Sequence, residues 1–226
     1  MLGPAISDIL PLAVGVMISP VPIIAVILML FSQRARSNGP AFLVGWVVGL
    51  AIVSAVVYVV ADSADVATDS GASDSTSTIK VVLGAVLVIA ALRQWRKRPA
   101  PGVEAPMPKW MQAMDAITPV KALGLAVLLS AVNPKNLLLT AAAAAAVAQH
   151  GVSTTDAVIA LAVFVVIASI SVAAPVLVFL LAGDKAQRLL DTWKAWLQHN
   201  NATVMAVVLL VMGVVVIGQG TGRLTA

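Results

Sequence analysis

Two short motifs hold the residues of this chain that have chemistry to offer. Asn133-Pro134-Lys135-Asn136 sets an ammonium group between side-chain amides, with the hydroxyls of Ser130 and Thr140 five residues to either side of Lys135. Ser19-Pro20-Val21-Pro22 sets a hydroxyl directly before a pair of prolines. Both motifs interrupt long apolar runs, so Lys135 stands deep inside hydrophobic sequence. An ammonium at the centre of a membrane helix costs about 2.5–3.5 kcal/mol on insertion scales, and something has to balance it. All ten Asp and Glu residues lie in polar connections or near the ends of apolar runs, so no carboxylate is at hand. The half-helix that Pro134 begins offers N–H groups and the positive end of its dipole, which favour an anion. Lys135, those donors and the amides of Asn133 and Asn136 therefore make a candidate receptor for a carboxylate or phosphate. Its substrate-binding residues would be Ser130, Asn133, Pro134, Lys135, Asn136 and Thr140, joined by Ser19, Pro20 and Pro22 from the other motif. A structural role stands beside this one: the asparagines repair broken backbone, Lys135 pairs with carbonyls or snorkels to an interface, and Ser19 with its prolines makes a kink.

The prolines identify the elements that must carry these residues. Proline removes a backbone donor and frees a carbonyl in the turn before it, and lipid has no water to satisfy that carbonyl. Such breaks at corresponding places in two halves of a membrane chain point to a transport site near the bilayer midplane. Composition fits: 226 residues, 60% apolar and 11% charged, with mean hydropathy +1.01, describe an integral membrane protein. Six apolar segments are long enough to span a bilayer, at roughly 9–31, 40–61, 78–95, 120–148, 154–182 and 202–219. Polar connections are expected over 32–39, 62–78, 96–119 and 184–201, with a short one near His150.

Charge sets the orientation. Arg34 and Arg36, then Arg93, Arg96, Lys97, Arg98, Lys109 and Lys121, then Lys185, Arg188 and Lys194 lie in or beside the odd connections. The even ones hold Asp62, Asp65, Asp69 and Asp74, with Lys80 close by. The positive-inside rule puts the odd loops in the cytoplasm and both termini outside a bacterial inner membrane, and Trp95, Trp110, Trp193 and Trp196 all fall at the cytoplasmic level. The apolar run after the N-terminus reads as a retained span, since no basic stretch precedes it. The expected fold is thus an all-α integral membrane protein with six transmembrane helices in two inverted-topology three-helix repeats. Residues 1–98 form one repeat, 120–226 the other, and 99–119 a basic, Pro-rich cytoplasmic linker with an interfacial helix. About 12–14 residues lead to each break, roughly 20 Å into a core of about 30 Å, so the two breaks reach the middle from opposite sides.

Gly15, Gly45, Gly49, Gly84 and Gly124 are read as positions of close helix packing. Trp110, Met114 and Ile117 share one helical face, as do Leu189, Trp193, Trp196 and Leu197, and both segments are expected to lie on the inner leaflet. Cysteine is absent, and His150 and His199 sit at segment ends with no second ligand nearby in sequence. No Ser/His/Asp, His/Glu or Cys grouping is present, so no catalytic residue, metal or cofactor is expected and the chain does not read as an enzyme. The net charge of +4 sits beside the spans, where it sets topology and meets anionic lipid rather than nucleic acid. Gly- and Ala-rich helices permit a homodimer or docking into a larger lipid-export complex.

Six spans, a Pro-containing motif in the first and Asn133-Pro134-Lys135 in the fourth resemble the LysE superfamily of small bacterial exporters. Ser19-Pro20-Val21-Pro22 in place of the Pro-Gly-Pro of the amino-acid exporters, the small size and the basic Pro-rich central loop are most similar to its GAP branch. Those are the glycopeptidolipid- and sulfolipid-addressing proteins of mycobacteria and relatives. The resemblance implies export or flipping of an anionic lipid or glycolipid toward the cell envelope, with membrane lipids as partners. Two alternatives are a LysE-type exporter of a small amino-acid-like solute and a non-transporting accessory subunit of a lipid-export machine. The departure from Pro-Gly-Pro and the missing intramembrane carboxylate argue against export of amino acids or metal cations.

Overall fold

The computed structural model describes residues 2–67, 72–96 and 116–221, and the chain is helical throughout these segments apart from short connections. In chain order the helices are α1 (Leu2–Met17), α2 (Pro20–Leu30), α3 (Ala35–Ala67), α4 (Ala72–Arg96), α5 (Pro119–Val127), α6 (Pro134–Gln149), α7 (Thr154–Ala182) and α8 (Ala186–Thr221). A π-helical turn, Leu128–Val132, follows α5, and a 3₁₀ turn, Gly183–Lys185, precedes α8. The two proline motifs do what their chemistry requires. α1 and α2 meet at a 52° bend, and α5 with its π turn meets α6 at 63°.

Among the described residues α3, α7 and α8 are long and apolar enough to cross a membrane, and the number rises to five if each bent pair is one span. The expected third segment lies within α4, which opens on a polar stretch from Ser73 to Thr78 and is not among those five. Burial shows which surface lipid must cover. On α3, Phe42, Trp46, Leu50 and Val53 point inward, while Val44, Val48, Ile52, Val56 and Val60, recurring every fourth residue, are exposed. Both faces are apolar, which is the pattern of a helix between a protein core and lipid rather than water. The protein is therefore membrane-embedded and multi-pass.

The closest pairings run between the first and second halves of the chain. α1 packs on α6 and α7, α2 on α7 and α8, α3 on α5, α6 and α7, and α4 on α8. One continuous core joins Leu12, Val16, Met29, Phe42, Trp46, Leu139, Phe164, Val172 and Met212. Glycine lets several of these pairs approach. A side chain at Gly45 would strike the Leu123 backbone, one at Gly49 the Ser130 side chain, and one at Gly15 the Met212 sulfur. Gly84 lies against Gly213 and Ile217, so α4 and α8 cross through a glycine contact. Gly124 differs from expectation, since nothing lies within 4 Å of where its Cβ would be.

Several expected connections are helical instead. α3 begins at Ala35 and runs to Ala67, and α4 begins at Ala72, so most of 62–78 lies within helices. The 184–201 connection reduces to the 3₁₀ turn, because Ala186 to Asn201 contains no Gly or Pro and merges with the last apolar segment in one helix. That helix buries Ala186 and Leu190 with Ile27 and Leu30 of α2, and Trp193 packs beside them. Leu189 and Trp196 point outward, so the expected Leu189/Trp193/Trp196/Leu197 face is split. Most of the other proposed interfacial segment, with Trp110 and Met114, and the basic run after Arg96 lie outside the described residues. Its last member, Ile117, is a core residue, and its carbonyl accepts from Asn38 Nδ2 at 3.0 Å.

Candidate functional site

The first break can be followed bond by bond. In an uninterrupted helix the N–H groups of residues 20 and 22 would donate to the carbonyls of Val16 and Ile18, but both positions are proline. Ser19 N–H turns back to the Met17 carbonyl at 2.9 Å, so Gly15 loses its helical donor as well. Three carbonyls at the end of α1, those of Gly15, Val16 and Ile18, would thus be stranded in a water-poor place, and that of Met17 keeps only the Ser19 N–H. Each finds a partner. Ser19 Oγ lies 2.6 Å from the Val16 oxygen, and Ser171 of α7 donates to Met17 at 2.5 Å. Lys135 Nζ donates to Gly15 at 2.8 Å and to Ile18 at 2.9 Å.

The second break mirrors this with amides. Pro134 opens α6, and Asn133 caps it by accepting from Lys135 N–H at 3.1 Å. Before it the backbone widens to a π turn, with Asn133 N–H reaching the Leu128 carbonyl at 3.2 Å. Asn136 Nδ2 donates to the Leu129 carbonyl at 3.0 Å. The other end of the same amide, Oδ1, lies 3.0 Å from Ser19 Oγ, and Lys135 Nζ donates to that hydroxyl at 2.6 Å. Ser19 has a single proton, which it gives either to Val16 or to Asn136 while accepting from Lys135.

The two breaks therefore form one cluster. Lys135 comes from the N-terminal turn of α6 and seats its charge on the C-terminal turn of α1, where the dipole and the unpaired carbonyls favour a cation. All three of its N–H donors are used, and it is only 6% exposed. The charge is balanced by carbonyl oxygens and a hydroxyl, the structural alternative open at the level of sequence, and no anion is needed for it in this conformation. Charge complementarity is what the arrangement supplies chemically: a cation on a short leash of oxygens that a stronger oxygen ligand can displace.

The structure brings together Ser19, Lys135 and Asn136, with Asn133 as cap and Pro20, Pro22 and Pro134 as the breaks themselves. Ser130 and Thr140 are buried, but among the described residues neither is hydrogen-bonded to the lysine. Ser130 Oγ bonds the Val127 carbonyl at 3.2 Å and packs on Gly49, and Thr140 Oγ1 has no hydrogen-bond partner among the described residues. Sequence reasoning missed Ser171, a hydroxyl in an apolar helix whose one signal was its polarity four residues before Pro175. It also missed Asn38, fully buried, which donates to Ser32 Oγ at 2.9 Å as well as to Ile117. His150 is not alone either. Its Nε2 lies 3.0 Å from Asp8 Oδ2, tying the end of α6 to the start of α1.

Bent apolar helices joined by a buried, cross-half polar cluster define a helical membrane protein with a discontinuous-helix centre. The chain matches the sequence profile of Sap, sulfolipid-1-addressing protein, over residues 9–222, and it belongs to that family. No curated protein and no solved structure matches it.

Proposed function

We propose that this protein exports or flips an anionic lipid or glycolipid of the cell envelope across the bacterial inner membrane, by alternating access around the two broken helices. The observation that carries the reading is the Lys135 cluster. One cation holds the end of α1 to the start of α6 through oxygens that belong to no acidic group. An ionised acceptor adds a Coulombic attraction to the ammonium that neutral carbonyls lack, so an anionic headgroup competes well against them. Taking Lys135 would leave the Gly15 and Ile18 carbonyls without donors, and water entering to satisfy them would open the cluster. Substrate binding and helix separation would thus be one event. The family name supports the class of ligand: the sulfo group of a sulfolipid is a strong-acid anion. In this reading the chain has six spans in two inverted repeats with both termini outside, and acyl chains stay in lipid while the headgroup crosses.

A second reading draws on the same bonds. A lysine whose donors are all used internally also suits a non-transporting accessory subunit of a lipid-export machine, in which the cluster only fixes the bundle. Purified protein in liposomes of defined lipid separates the two. Movement of a fluorescent sulfated glycolipid between leaflets, abolished by Lys135→Met with normal insertion, is the outcome expected of a transporter. Wild-type protein that moves no anionic lipid by itself would leave the accessory role standing.

A further inference from the structure

A separate site is formed where α4 and α8 diverge. Below the Gly84–Gly213 crossing they leave an open groove of about 260 Å³, lined by Ala91, Leu92 and Trp95 of α4 and by Ala206, Val207 and Leu210 of α8. The lining is apolar, and small residues on both helices make the space. In a bilayer such a groove is filled by something apolar, so the groove alone does not name its occupant.

The polar groups at its mouth do. Gly84 touches Gly213 and Ile217, and Gly213 touches Val88, so the helices are antiparallel and residue 86 stands about level with 213. Counting along both helices at about 1.5 Å per residue puts Arg96 level with Thr203. Arg96 is four residues beyond Leu92, one turn further along the groove-lining side of α4. On α8 the residues preceding Ala206 and Val207 on that side are Thr203 and His199. Arg96 and His199 are exposed, and Arg96 has no carboxylate partner among the described residues. Trp95, 43% exposed, stands beside them at the level where indole rings favour the headgroup zone. An apolar slot that ends in an arginine, an imidazole and a hydroxyl is complementary to a chain joined to a phosphate.

We propose that this groove is a binding site for one anionic phospholipid, its acyl segment between Ala91 and Leu210 and its phosphate on Arg96, with Thr203 and His199 completing the headgroup contact. The site is distinct from the Lys135 cluster and does not depend on the function proposed for that cluster. The bound lipid fills the space where α4 and α8 part and so supports their pairing.

Native mass spectrometry tests it on full-length protein from nanodiscs of equal phosphatidylglycerol and phosphatidylcholine. Wild type is expected to retain one phosphatidylglycerol per chain in preference to phosphatidylcholine. Arg96→Ala should lower that retention about tenfold, the loss of roughly one charge-assisted hydrogen bond, and Arg96→Lys should recover part of it. Ala206→Phe, which fills the slot, should abolish retention of either lipid while the chain still elutes as a folded species. Equal retention of the two lipids by wild type, or no change in Arg96→Ala, overturns the proposal. Conversion of a dimer to a monomer by Ala206→Phe, with lipid count unchanged, would assign the groove to a second copy of the chain instead.

Discussion

Replacing Lys135 by methionine tests the polar cluster most directly, because it keeps the length of the side chain and removes its three donors. The change leaves the Gly15 and Ile18 carbonyls, now bonded at 2.8 and 2.9 Å, without side-chain partners. A buried polar group that loses its partner costs about 1–3 kcal/mol, and two are affected. Ser19 is spared, since its hydroxyl can still donate to Val16 at 2.6 Å. Against this loss stands the about 2.5–3.5 kcal/mol that the membrane exacts for holding a lysine at mid-helix, which methionine does not incur. The two effects partly offset, so thermal unfolding in nanodiscs should place Lys135→Met between about 1.5 kcal/mol more stable and about 3.5 kcal/mol less stable than wild type. Local behaviour should change as well. Amide hydrogen exchange across Val16 to Ser19 should rise by tenfold or more, about 1.4 kcal/mol of lost protection, because the end of α1 has lost its clamp. Exchange in that turn equal to wild type, together with full lipid movement, would show that Lys135 neither holds the first break nor serves transport, and would refute the reasoning.

Other variants probe the supporting residues. Asn133→Ala removes the α6 cap and should destabilise by about 0.5–2 kcal/mol in the same melts, whereas Asn133→Asp should retain most of the stability. Gly84→Val drives a side chain into Gly213 and Ile217 and should cost about 1–3 kcal/mol or prevent the α4–α8 contact, read as lost yield on size exclusion. Gly124→Ala meets nothing within 4 Å and should be neutral or stabilising by up to about 1 kcal/mol, so a loss of stability there would mean that the open space has another use. Because the chain has no cysteine, single thiols report topology without background. Ser37→Cys should react with an impermeant maleimide only after the membrane is opened and Thr155→Cys without it, and the reverse pattern would invert the orientation.

The sequence was enough to say that this is a helical membrane protein broken in two places, and where. Apolar run length and the fixed chemistry of proline are local properties, so they are written in the order of the residues, and both bends occur at the motifs that predicted them. The cap at Asn133 and the close packing at Gly15, Gly45, Gly49 and Gly84 were legible for the same reason. Helix ends were less so. Asp62 to Thr78 and Asp184 to Asn201 read as polar loops, yet polar residues continue a helix perfectly well where it leaves the bilayer, and hydropathy cannot see that. What lay beyond the sequence was the partner of Lys135. Its charge called for an acceptor, and with no acidic group in the spans an external anion was the natural inference. The acceptors include main-chain carbonyls of Gly15 and Ile18, more than a hundred residues away, freed by the first break. Every residue has a carbonyl, so composition cannot mark those two. Only the packing of α1 against α6 makes them the ones that meet the lysine.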